Sequence, residues 1–218
     1  NTLHVTAIDA TGCVTASEIG LLVAADADVD ANGMPDVCQA MWFPYGQTVE
    51  PSADADSDGL TNLRECQQGS HANGRFHRYL AEGRTGRFFR TSISVWNPAG
   101  DAHVLARFFT SGGQVVELPF TLVWGERRTV NPDGLPHMAD SAFGVDVESD
   151  VPVAVEREMT WDRTRYGRHE ESAVPAASTT WYLAEGSTAG GFQLFYTLLN
   201  PNAEAVAATV EYLRPAGQ

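Results

Sequence analysis

The stretch DADSDGLTNLRE, Asp54–Glu65, sets aspartates at every second residue, then a glycine, then a carboxylate seven places beyond the last aspartate. Like charges packed this closely oppose any compact backbone unless a cation offsets them. Numbered from Asp54, side-chain oxygens fall at positions one, three and five (Asp54, Asp56, Asp58), with Gly59 at six, Leu60 at seven, Asn62 at nine and Glu65 at twelve. That is the ligand order of a calcium loop, in which short carboxylates alternate and the seventh residue gives only its backbone carbonyl. Gly59 allows the sharp turn that wraps the chain round an ion.

A second copy lies upstream in DVDANGMPDVCQ, Asp28–Gln39. Asp28, Asp30 and Asn32 take positions one, three and five, Gly33 takes six, Met34 offers its carbonyl at seven, and Asp36 sits at nine. Gln39 replaces the acidic twelfth residue, which predicts a weaker site, and Asp26 adds a nearby carboxylate that can repair the deficit or bridge to a second ion. One acidic run reads equally well as a solvated loop, but two in register, each with glycine at six, point to calcium.

A paired EF-hand needs a helix leading into each loop, and the approach to Asp54, FPYGQTVEPSA, carries Pro44, Gly46 and Pro51. No entering helix forms there. Behind the loop, LTNLRECQQG makes a short helix ended by Gly69. Each unit is therefore a loop wrapped on metal with one brief helix. DVDANGMPDVCQAMWFPYG followed by DADSDGLTNLREC resembles the bacterial form of the thrombospondin type 3 repeat, over about residues 26–69. It departs from that pattern at DANG in the first loop and in the degenerate GSHANG tail.

Charge follows the same geography. The first 65 residues hold eleven acids against one arginine, a net of minus ten within the whole chain's −14. The rest carries seventeen acids and thirteen arginines, so no basic surface for nucleic acid is expected. No run of eighteen apolar residues predicts a membrane span, and no signal peptide is evident.

Cys38 and Cys66 each follow a loop at nearly the same relative place, so a bridge between them is expected. It would close about 28 residues and contribute roughly 3–4 kcal/mol in the chain-entropy model. Cys13 is then free, exchanged with one of the others, or paired between chains; the alternative is three buried thiols in a reducing cell. Calcium loops of this kind operate where calcium is millimolar, which predicts an extracellular or cell-surface setting.

The chain also repeats itself. RYLAEGRTGRFFRTSISVWNPAGDAHVLARFF lies over WYLAEGSTAGGFQLFYTLLNPNAEAVAATVEYL at an offset of 103 residues, with Asn97-Pro98 over Asn200-Pro201 and one residue gained in the turn that follows. Within the first copy RTSISVW, HVLARFF, GQVVELPF, RRTVN, AFGVDVES and VPVAVEREMTW are β-branched or aromatic runs bounded by turn residues. In the last of these, Val151, Val153, Val155 and Arg157, or the opposite set, face inward. About seven strands in a hundred residues predict a β-sandwich. The Asn-Pro pair fits a turn between strands.

YLAEG, the Asn-Pro turn and FGVDVESDVPVAVEREMTW resemble a family of bacterial surface domains of unknown function that begin WYLAEGST, covering nearly all of residues 78–218. NTLHVTAIDATG resembles the last strand of an immunoglobulin-like domain. The expected fold is mainly β, with calcium-wrapped loops and short helices before an immunoglobulin-like antiparallel β-sandwich and the start of a second. The expected divisions are 1–15 (a strand), 16–77 (the calcium region), 78–180 (first sandwich) and 181–218 (partial second sandwich). The partial sandwich implies either a segment of a longer array or β-strand exchange between neighbouring copies.

No catalytic constellation emerges, so an enzyme is not expected. GSTAG, Gly186–Gly190, has Thr188 where a nucleophile elbow needs serine and reads as a turn. His71 and His77 lack further ligands for a transition metal and read as surface histidines. WDRTRYGRHEE, Trp161–Glu171, reads as a solvated connection, with a glycan or protein contact as its functional alternative. The expected role is an extracellular, calcium-stabilised structural module of an adhesin-like or filament-forming protein that spaces β-sandwiches. The alternative is a carbohydrate-binding accessory module of a secreted hydrolase, binding surface glycan.

Overall fold

A computed structural model of the protein describes residues 2–8, 14–20, 27–44, 46–161, 167–183, 186–191, 193–202 and 204–213, the first two segments as backbone only. The chain divides into two compact units, Asn1–Asn73 and Gly74–Gln218.

The first unit opens with an antiparallel hairpin of β1 (Thr2–Ile8) and β2 (Val14–Gly20), registered from Thr2↔Gly20 to Ile8↔Val14. One strand was expected here and two are present. VTASEIG escapes sequence reading because Thr15, Ser17 and Glu18 break up its apolar residues. Two short helices of seven residues follow, α1 (Asp36–Trp42) and α2 (Asn62–Gln68). Thr61 caps α2 by accepting from the Arg64 N–H, and Gly69 ends it in the left-handed region at φ 76°. A small core gathers Met34, Cys38, Trp42, Phe43, Val49 and Ala72. His71, expected at the surface, is fully buried with its ring stacked on Trp42 at 4.1 Å. Cys38 and Cys66 are bridged, with Cα atoms 5.9 Å apart. This closes the predicted 28-residue span across both loops. Cys13 lies outside the described residues.

The second unit is a β-sandwich of two four-stranded antiparallel sheets, so the chain is mainly β as expected. One sheet runs β10-β9-β4-β7 and the other β3-β8-β5-β6. The strands are β3 (Phe76–Arg84), β4 (Phe89–Trp96), β5 (Ala102–Thr110), β6 (Val115–Leu122), β7 (Arg127–Val130), β8 (Ala142–Ser149), β9 (Ala154–Trp161) and β10 (Gly167–Ser172). Alternation explains the packing: Thr91, Ile93 and Val95 of β4 point inward, as do Phe143, Val145 and Val147 of β8. Phe108 meets Phe143 edge-on at 5.7 Å. The register of β3 against β8 shifts between Leu80 and Gly83, and a Cβ on Gly83 would lie 2.2 Å from the Phe143 ring. The glycine of YLAEG is thus fixed by the approach of a core phenylalanine.

Val153, just before β9, and Val155 and Arg157 within it are the inward set, and the Arg157 side chain is wholly buried. It is held by the Glu82 carboxylate at 2.7 Å, the Glu82 carbonyl at 2.8 Å and the Glu171 carboxylate at 3.1 Å. GRHEES, expected as a solvated connection, is the edge strand β10, paired with β9 from Gly167↔Trp161 to Ser172↔Glu156. Its missing apolar face reflects that edge position. Asn97 ties the β4–β5 turn to the β6–β7 turn, donating to the carbonyls of Gly100, Leu122 and Val123 and accepting from the Ala99 N–H. Asn200 makes the matching local bonds, to the Glu204 carbonyl at 2.7 Å and from the Asn202 N–H at 3.2 Å. The segment 181–213, expected to begin a second sandwich, has no strand among its described residues, and Trp181, Tyr182, Phe195 and Leu213 are exposed. In the first copy β3 needs β8, and β4 needs β7 and β9. The 218 residues contain no second set of those partners.

Candidate metal centre

Both acidic loops close by the same hydrogen bonds. The N–H of position nine donates to the carbonyl preceding position one: Asp36 to Ala27 at 2.7 Å, and Asn62 to Ala53 at 2.8 Å. The side chain of position nine accepts from the N–H of position two: Asp36 from Val29 at 3.1 Å, and Asn62 from Ala55 at 3.2 Å. The position-one carboxylate accepts from positions five and six: Asp28 from Asn32 and Gly33, Asp54 from Asp58 and Gly59. Asp30 and Asp56 accept from position five, and Asn32 and Asp58 accept from Met34 and Leu60. The backbone follows suit, with positive φ at position four (Ala31 54°, Ser57 69°) and position six (Gly33 92°, Gly59 97°). Glycine at six is needed because L-residues strain there.

Each loop gathers three carboxylates whose oxygens all lie within 4.8 Å of one another: Asp28, Asp30 and Asp36 in one, Asp54, Asp56 and Asp58 in the other. The two sets reach the same charge by different routes. The first loop has Asn32 at five and Asp36 at nine; the second has Asp58 at five and Asn62 at nine. No arginine or lysine precedes Arg64 and neither loop contains a histidine, so the loops bring no cationic side chain of their own. Carboxylates this close, supplied with backbone N–H donors but no internal cation, can hold a metal ion, and a donor set of oxygen alone fits a hard one.

Glu65 is buried on the first turn of α2, its Oε1 accepting from Ser70 Oγ at 3.3 Å, and it does not belong to the carboxylate set. Gln39 lies in the first turns of α1, its Nε2 3.4 Å from the Met34 carbonyl. Asn62 is also buried, its Nδ2 donating to the Glu50 carbonyl at 2.8 Å, so its side chain braces the loop. Met34 and Leu60 stand at position seven, Met34 with its side chain in the core. Asp26 lies outside the described residues.

Sequence reading missed a second polar cluster, in the sandwich. Asp146 and Glu148 of β8 are buried on the face opposite Val145 and Val147. His77 Nδ1 lies 3.1 Å from Asp146 and Nε2 3.8 Å from Glu148, Arg107 pairs with Glu148, and His103 Nδ1 lies 2.7 Å from Asp150. The hydrogen bond to Asp146 raises the His77 pKa above its usual value, against an opposing effect of burial. Burial, with Asp146 and Glu148 adding, pushes Tyr79 up to about 12. The alternating carboxylates of DVESD were the available signal; their partner His77 stands opposite Glu148 on the adjacent strand.

No family model matches the chain, and no curated protein does. Among solved structures it is similar to Thermotoga maritima 1070, at 14% identity and a TM-score of 0.43, over 48% of this chain and 97% of that one. It is similar also to the Anabaena sensory rhodopsin transducer, at 23% identity and a TM-score of 0.33, over 38% and 87%. Likenesses at this level carry no functional inference.

Proposed function

We propose that the two loops bind calcium and that the first unit is a calcium-set spacer in an extracellular or cell-surface protein, joining β-sandwich modules. The observation that carries this reading is the duplicated loop: the same hydrogen-bond register twice, each time bringing three carboxylates together. Asp28, Asp30 and Asp36 would hold one ion with Asn32 and the Met34 carbonyl, and Asp54, Asp56 and Asp58 the other with the Leu60 carbonyl. The ion supplies charge neutralisation. The chain supplies loops already closed by their own N–H groups and tied to each other by Cys38–Cys66. A disulfide supports the same compartment as millimolar calcium does. Without sulfur or imidazole in either set, zinc is disfavoured.

Calorimetric titration of the purified chain with calcium tests the reading. Saturable uptake is expected, reduced by Asp54→Ala and by Asp56→Ala. Chelation should speed proteolytic cutting between residues 27 and 70 while the sandwich remains intact. No uptake, or cutting indifferent to EDTA, would remove the proposal.

A further inference from the structure

We propose that the outer face of the β9-β4-β7 layer, around Trp96, is a binding site for a neutral saccharide chain. Trp96 ends β4 and stands between Arg127 of β7 and Ala154 of β9 in the cross-strand register. One residue pair back along the same face, Ser94 stands between Thr129 and Glu156. Together with Gly125, five of these side chains line a hollow of about 340 Å³, Thr129 being the one outside it. That is the lower end of the size range of small-molecule sites. A second hollow of about 280 Å³ adjoins it across β9, sharing Ala154 and Glu156 and reaching Pro98 and Ser172.

The chemistry of this face selects the ligand. Trp96 is 48% exposed and Trp124, in the turn beside it, 73% exposed, although tryptophan is usually highly buried. Trp124 is oriented by its indole N–H, which donates to the Pro98 carbonyl at 3.2 Å. Arg127 donates to Ser94 Oγ at 3.0 Å, and Ser94 Oγ lies 3.1 Å from Thr129 Oγ1, so the guanidinium is held beside the indole. A guanidinium has five donors, more than that bond uses, and Glu156 adds an exposed acceptor. A pyranose presents an apolar C–H face rimmed by hydroxyls that both donate and accept. An indole plane flanked by a donor and an acceptor of opposite charge matches it; Arg127 and Glu156 balance in the first hollow, and Arg78 lines the second as a further donor for hydroxyls. Ala154 opposite the indole is too short to cover it.

Trp96 is not part of the buried core of the sandwich. The Asn-Pro match puts Leu199 at the corresponding place in the second copy. Two adjoining hollows call for at least two linked sugar units, so a chain should bind more tightly than its monomer. The site is independent of calcium.

The full calcium-loaded chain, labelled with ¹⁵N, should be titrated with cellohexaose, chitohexaose, xylohexaose and mannohexaose and with the parent monosaccharides. At least one hexasaccharide should shift the Trp96 indole N–H signal saturably, with affinity at least about tenfold above its monomer. Trp96→Ala and Arg127→Ala should each weaken binding about tenfold or more and leave calcium uptake unchanged, while Trp181→Ala should leave both unchanged. No shift with any of the four at millimolar concentration would overturn the proposal. So would binding that survives Trp96→Ala, or a face that responds only to a protein partner. Calcium uptake is read separately, so failure here is distinguishable from failure of the spacer reading.

Discussion

Asp54, Asp56 and Asp58 recur at every second residue in a loop; Asp146, Glu148 and Asp150 do the same along β8 and just past its end. Both triples crowd three carboxylates, and the surroundings decide what each can do. In the strand, alternation places all three on one face, where neighbouring strands deliver His77, Arg107 and His103 to meet them. The carboxylates find hydrogen-bond and ion-pair partners within the fold, so they can be buried. In the loop the carboxylates accept from backbone N–H groups, and there is no arginine or lysine from Asn1 to Leu63. The charge is left for something outside the chain to match. One spacing thus yields a structural network or a candidate ion site, according to what the fold brings alongside.

The largest expected effect comes from breaking the strand set. Arg107→Leu removes the cation from a carboxylate only 5% exposed, and loss of one partner of a buried pair costs about 2–3 kcal/mol here, the guanidinium being partly exposed. Urea unfolding of the second unit's transition should show it, with or without calcium. An unchanged midpoint would mean that β8 does not depend on its internal cations.

The next contrast lies between the loops. Asp36→Asn and Asp58→Asn each leave two carboxylates and asparagine at both five and nine, so the altered loops have the same donor composition. Each should weaken one calcium step by about tenfold, equally in the two loops, since ligand charge tunes affinity. Calorimetry resolves the two steps. Unequal losses would show that position outweighs charge, and that the exchange of Asp and Asn between five and nine is not neutral.

A smaller effect reverses sign with conditions. Asp56→Asn keeps an acceptor for the Asp58 N–H and removes one charge. Without calcium the first unit should gain a few tenths of a kcal/mol from relieved repulsion, and with calcium it should lose stability through weaker binding. Melting curves in EDTA and in calcium test this. Asp146→Asn, by contrast, should destabilise in both, because its charge is already matched by His77 and Arg107.

What the sequence made legible follows the same physics. Six strands of the sandwich could be read because one face of each packs into the core, and the Cys38–Cys66 bridge because the two cysteines hold nearly the same place at the end of a duplicated loop. β10 was hidden, since GRHEES has no apolar residue and is a strand only by pairing with β9. The helix behind the second loop was legible in LTNLRECQQG, but the burial of Glu65 on its first turn was not, since it depends on residues beyond the loop. His71 was misread because its partner, Trp42, is 29 residues away in a core that exists only once the loops are closed. Local pattern records the contacts a segment makes with its own neighbours. Burial of a polar group is set by distant ones.

The smallest expected effect sharpens the difference between matching charge from within and from without. The sandwich should respond to pH where the loops respond to calcium. His77 on β3 faces Asp146 and Glu148 of β8 and Arg107 of β5, with Tyr79 stacked beside it at 5.5 Å. Its hydrogen bond to Asp146 favours the imidazolium and raises its folded pKa, while Arg107 and burial work against this. A raised folded pKa means that the protonated ring stabilises the native state fully below the unfolded value of about 6.5, and that this stabilisation is lost as pH rises through the folded value. The ring is about one-third exposed, so solvent screening keeps the effect small. NMR titration should place the His77 midpoint above 6.5, and the melting temperature of the calcium-saturated protein should fall as pH is raised past it. His77→Gln should flatten that slope while leaving calcium uptake unchanged. A midpoint at or below 6.5 would mean that Arg107 already satisfies the β8 carboxylates, and that the histidine is a bystander to them.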